Sequence, residues 1–183
     1  MDAEMLRKIQ TPLKERYRND AKSALITLKA MGTIDDTRIA CKVETGRALA
    51  IAGLHPATGG TGMELCSGDM LLEALVACAG VTLKAVATAL DIPLRSGCVL
   101  AEGDLDFRGT LGVAKEAPVG FVAIRLNIFV DSDASQEKLD QLLKLTERYC
   151  VVYQTIRSGT QVDVKMSRGK VPSVSASTPS PTA

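Results

Sequence analysis

The 183-residue chain has no tryptophan, and aromatic residues make up only 3% of it. That poverty argues against a stacking surface that reads single-stranded nucleic acid. Lys and Arg number 22 against 21 Asp and Glu, a net charge of +1, so neither a polyanionic partner nor a charged membrane surface is expected. The single histidine, His55, sits in a Gly/Pro loop with no cysteine or acidic partner at motif spacing, and reads as a loop residue. The five cysteines, at 41, 66, 78, 98 and 150, include no CxxC pair and no metal-ligand spacing, so neither a metal nor a cofactor is expected. The opening MDAEMLRKIQTPLKERYRND lacks an apolar signal region. The expectation is a cytoplasmic protein with reduced thiols rather than a disulfide framework.

What the chain does have is one long apolar run, SGDMLLEALVACAGVTLKAVATAL from Ser67 to Leu90. Glu73 and Lys84 are its only charged residues after Asp69. As a helix it is about 36 Å long. That length spans a bilayer, but regular alternating strands surround the run, so a buried helix of a soluble protein is expected. It stops before Pro93.

Period-2 patterning flanks it. Ala24, Ile26, Leu28 and Ala30 share one face, and Ile39, Cys41 and Val43 share another within Thr37–Glu44. Thr45-Gly46 then turns the chain into Arg47–Ala52 as a hairpin, followed by the loop GLHPATGGTG at 53–62. Two further strands are expected at 98–108 and 120–130. In the second, Val122, Ile124, Leu126, Ile128 and Val130 face inward. Asp133-x-x-Gln136 resembles a capping box for a helix to about Tyr149, and Val162, Val164 and Met166 suggest a last strand.

Residues 1–21 form a charged helical extension interrupted by Pro12, residues 22–166 one domain, and residues 167–183 a low-complexity, disordered tail. Strands joined by short turns give an α+β fold with antiparallel sheets. A helix apolar nearly all round needs cover on every side, and one small sheet covers one side, so a homodimer is expected.

The cysteines separate by position. Cys41 falls on an apolar strand face and reads as core. Cys98 shares a face with Glu102 and Asp104, which disfavours a thiolate. Cys66 stands where the long helix begins, where the dipole lowers a thiol pKa; on single-site physics it is a better candidate than Cys78. Cys78 lies in mid-helix, turned away from the Glu73/Lys84 stripe. Cys150 continues the face formed by Leu139, Leu142, Leu143 and Thr146. Both Cys78 and Cys150 therefore point inward, and spacing leaves open whether they meet.

GGTG at 59–62, SGDMLLEALVACAGVTL at 67–83 and RYCVVYQTI at 148–156 together resemble the OsmC/Ohr family of osmotically inducible and organic hydroperoxide resistance proteins. The resemblance implies the OsmC-like fold, with antiparallel sheets packed around the long central helix carrying Cys78, as an intertwined homodimer with sites where subunits meet. It implies a peroxidase in which Cys78 attacks an organic hydroperoxide and Cys150 resolves the sulfenic acid as a disulfide, recycled by a lipoyl-type dithiol. Leu75, Val81, Leu142 and Val152 would supply apolar walls. Asp69 matches an acidic position of the OsmC-like branch, and the family's thiolate-stabilising Arg points to Arg47, with Arg38 second. Val151 departs from the motif, which commonly has Pro directly after its cysteine. The alternative is a non-catalytic dimer of this fold that binds a small apolar ligand or a protein partner, and a further reading gives Cys66 the reactive role.

Overall fold

A computed structural model describes residues 3–34, 41–43, 52–63, 65–166 and 168. The first helix, α1 (Ala3–Asn19), runs through Pro12 rather than breaking there. Pro12 lies on an exposed stretch, where solvent replaces the amide it lacks. The C-terminal end of α1 buries Tyr17 completely, and the Tyr17 hydroxyl donates to the Ala57 carbonyl at 2.6 Å.

Four strands form one antiparallel sheet: β1 (Leu25–Ile34), β2 (Cys41–Val43), β5 (Ser96–Asp106) and β6 (Phe121–Asp131), in the order β2-β1-β5-β6. β5 shows why alternation reads so clearly. Val99, Ala101 and Leu105 are buried, while Glu102 and Asp104 on the other face pair with Arg125 of β6. Val122 departs from the expected inward set and is exposed. The β5–β6 register shifts at Asp104/Leu105: Asp104 pairs with Ala123 and Leu105 with Phe121, leaving Val122 outside the ladder. The expected hairpin over 37–52 falls largely outside the described residues. Its end, β3 (Ala52–Gly53), pairs in parallel with β4 (Leu65–Cys66).

The loop between β3 and β4 depends on two glycines for different reasons. Gly59 closes a short 3₁₀ turn (Pro56–Thr58) at φ 92°, a left-handed conformation. A Cβ on Gly60 would lie 1.6 Å from the Leu54 carbonyl oxygen.

The long helix α2 (Ser67–Ala89) crosses the sheet and buries Leu72, Leu75, Val76, Ala79, Leu83 and Ala87. It is long and apolar enough to cross a membrane by composition, yet these side chains pack into the protein core. It ends at Asp91, at φ 52°, with the Ile92 amide returning to the Ala87 carbonyl. A four-residue helix, α3 (Phe107–Thr110), follows β5.

After β6 come α4 (Gln136–Tyr149) and α5 (Val151–Ser158). The expected capping box is absent: Ser135 occupies the N-cap position, and Asp133 instead pairs with Arg95. Leu142 of α4 packs with Leu83, Ala87 and Ile92. The expected last strand does not form. Val162, Val164 and Met166 lie in irregular chain, 78%, 89% and 100% exposed, and among the described residues no strand pairs with them.

Candidate active site

The chain kinks once at Cys150, which is both the C-cap of α4 and the N-cap of α5. Its amide closes α4 onto the Thr146 carbonyl, and its carbonyl opens α5 by accepting from Gln154. Its side chain is 1% exposed, which places the sulfur inside the core. Cys78, near the midpoint of α2, is half-buried beside the same core cluster, with Val152 and Tyr153 of α5.

The two thiols border the same core cluster, and their surroundings drive them apart in acidity. Burial raises the Cys78 pKa. Hydrogen bonds from the Val152 backbone, the Cys150 thiol, the Val151 backbone and the Thr82 hydroxyl outweigh that effect and hold Cys78 below the ordinary cysteine value. Burial also acts on Cys150, and the neighbouring Cys78 adds to it. Cys150 is pushed up to about 11 despite the Tyr153 and Val152 amides. The pair is therefore unequal: Cys150 keeps its proton more firmly than an ordinary thiol, and Cys78 gives its proton up more readily. Both are free thiols.

Cys66 is the N-cap residue of α2. Cys78 lies twelve positions further along, about 18 Å of rise, whereas a disulfide needs Cα atoms within about 7 Å. Asp69 lies within the first turn of α2, nine positions before Cys78 and so on the opposite side of the helix. Its neighbour is His55, not a sulfur. Burial raises the Asp69 carboxyl and His55 lowers it; burial lowers the His55 imidazole and Asp69 raises it. Burial, and then Asp69, raise Glu73. His55 is thus more than a plain loop residue: it stacks on Phe107 at 4.9 Å, and its Nδ1 accepts from the Ala57 amide. Sequence spacing missed the electrostatic influence of Asp69 on His55 because the two residues stand on different elements. Arg47 and Arg38 lie outside the described residues.

A cavity of about 850 Å³ opens between α2, β6, α4 and α5. Leu71, Leu75, Ile124, Leu126 and Tyr153 line it, and it reaches Cys150 but not Cys78. Of the four expected walls only Leu75 lines it. Val81 points outward, Leu142 packs in the second core cluster, and Val152 packs beside Cys78.

The family model of the OsmC-like proteins matches residues 60–165, from the glycine-rich loop through both cysteines. The chain belongs to the OsmC-like family. The fold of this OsmC-like chain is also that of an osmC-like hydroperoxide resistance protein from Jannaschia sp. CCS1. That crystal structure aligns with a TM-score of 0.59 at 15% identity, over 81% of this chain and 97% of the other. No curated protein sequence matches the chain.

Proposed function

We propose that this OsmC-like protein is a thiol-dependent peroxidase that reduces organic hydroperoxides. One observation carries the reading: two free thiols at one core cluster, the first eased toward ionisation and the second held protonated. The family and the Jannaschia hydroperoxide resistance protein agree with it.

The Cys78 thiolate attacks the terminal peroxide oxygen. The O–O bond breaks, the leaving alkoxide takes a proton to become an alcohol, and Cys78 becomes a sulfenic acid. Cys150 is raised in part by the negative charge on Cys78. Oxidation of Cys78 to the neutral sulfenic acid removes that charge and eases ionisation of Cys150 at the step that needs it. Cys150 sulfur then displaces water from the sulfenic acid and forms the disulfide. An external dithiol, of the lipoyl type, supplies two electrons by exchange and restores both thiols.

The test follows tert-butyl hydroperoxide consumption with dihydrolipoamide as reductant. Wild type is expected to turn over. Cys78→Ser is expected to fall to background, and Cys150→Ser to stall after one turnover; wild-type rates in Cys78→Ser would remove Cys78 from the chemistry.

The same reading makes the protein a homodimer. Ser67, Leu71, Ala74, Val81 and Thr88 form an exposed stripe along α2 on the side of Cys78, with Leu71 and Val81 40% and 38% exposed. Sedimentation of wild type is expected to give a dimer and of Leu71→Asp/Val81→Asp a monomer; a wild-type monomer would refute this assembly.

A second reading is favoured by the cavity, which reaches Cys150 but not Cys78: a non-catalytic dimer that holds a small apolar ligand there. Absence of a Cys78–Cys150 disulfide after one equivalent of hydroperoxide would favour it.

A further inference from the structure

Strand β6, eleven residues long, lies at the edge of its sheet. β5 pairs with one side of it, and among the described residues no strand pairs with the other. Ile124, Leu126 and Ile128 on one face of β6 line the cavity, while Arg125 and Asn127 on the opposite face are exposed. An open edge of this length is a ready template for another strand. The segment after α5 carries the same alternation. Val162, Val164 and Met166 alternate with Gln161, Asp163 and Lys165, and β-branched valines favour strands. The polar side is already aligned: the Gln161 side-chain amide donates to the Asp163 carboxylate at 3.4 Å, a pairing of residues two apart that suits an extended chain. The apolar side is left in water.

We propose that residues 160–166 are a strap that closes over the cavity by adding a strand to the open edge of β6 in the same chain. Closed, the strap walls off the cavity that reaches Cys150; open, it admits a solute to it. The device concerns access and holds whatever chemistry the two thiols perform.

The parts needed for closure are in place. Gly159, Thr160 and Val162 already stand on the cavity rim. Gly159 is left-handed at φ 64°, and a Cβ there would meet nothing within 4 Å, so it is an unobstructed pivot that tolerates a change of φ. From Gln161 to Met166 an extended chain reaches about 20 Å. That covers most of the roughly 26 Å of β6, from Phe121 to Ile128, that borders the cavity. On the edge of β6, Val162, Val164 and Met166 continue the Ile124, Leu126 and Ile128 face and approach Leu143, which is exposed at the cavity. Gln161, Asp163 and Lys165 continue the Arg125 and Asn127 face and stay in water. A single residue, Gly159, joins the strap's first residue to α5, so its effective concentration at its own β6 exceeds that of a second copy in dilute solution.

The test uses methyl and amide NMR of the full chain. In wild type, Val162 and Val164 methyls are expected to show Overhauser contacts to Ile124 and Leu126 methyls. Their amides are expected to exchange roughly tenfold or more slowly than in a free peptide of the same sequence. Val164→Asp puts a charge on the face to be buried, at a position that is exposed in the open form, so the rest of the fold is kept. It is expected to abolish both signals and to speed iodoacetamide labelling of Cys150 severalfold. Lys165→Ala, on the water face, is expected to keep wild-type values. Absent contacts and unprotected amides in wild type would overturn the proposal, as would unchanged Cys150 labelling in Val164→Asp. Contacts seen only between chains, in a mixture of labelled and unlabelled copies, would put the strand on a second copy and overturn it as well.

Discussion

The beginning and the middle of α2 handle charge in opposite ways. At the beginning, Asp69 and Glu73 stand with His55, and each carboxyl is raised first by burial. In the middle, the Cys78 thiol is eased toward ionisation by amides, a hydroxyl and a second thiol. The conventional place for an activated cysteine is the helix start, where Cys66 stands. The fold instead brings the start of another helix to the middle of this one. Position on a cysteine's own helix is therefore a poor guide to its chemistry; what the sulfur faces decides.

The largest expected effect contrasts the two members of the central pair. With Cys150 pushed up to about 11, roughly one molecule in ten thousand carries its thiolate at pH 7. Cys78, lowered, carries far more. Peptide-resolved alkylation at pH 7 is expected to label Cys78 well before Cys150, by orders of magnitude. As pH rises, Cys78 labelling saturates first and Cys150 climbs only toward pH 11. Equal rates at neutral pH would erase the contrast. A smaller effect tests the independence of the two regions. Asp69 raises His55, so Asp69→Asn is expected to move the His55 titration further down, read from its imidazole proton resonance. The Cys78 alkylation curve is expected to stay where it is; a shift there would tie the two ends of the helix together.

Much of the scaffold was legible because burial alternates with the period of the element. β5 and β6 fall close to their expected spans, and α2 and α4 follow their apolar periodicities. Residues 162–166 carry the same alternation and form no strand, because a pattern states fitness for a sheet and cannot supply the neighbouring strand. α5 was hidden for a related reason: VVYQTIRS is rich in β-branched residues, which favour strands. Gly159, left-handed at φ 64° just after it, was the available stop signal. The inward face of Cys150 was readable from helical spacing; Cys78 instead stands half-buried beside the exposed stripe of α2, and how α5 packs against that side was not readable. The mutual electrostatic influence of Asp69 and His55 was unreadable for the same reason, since one stands on a helix and the other in a loop.

The joint at Cys150 has one more consequence. Because a single residue ends α4 and begins α5, its sulfur and the amides beyond it keep a fixed angular phase. One residue inserted there would turn α5 by about 100° relative to α4, aiming thiol and amides in different directions. The length of that joint thus sets the phase in which Cys150, Val152 and Tyr153 all turn toward one core cluster.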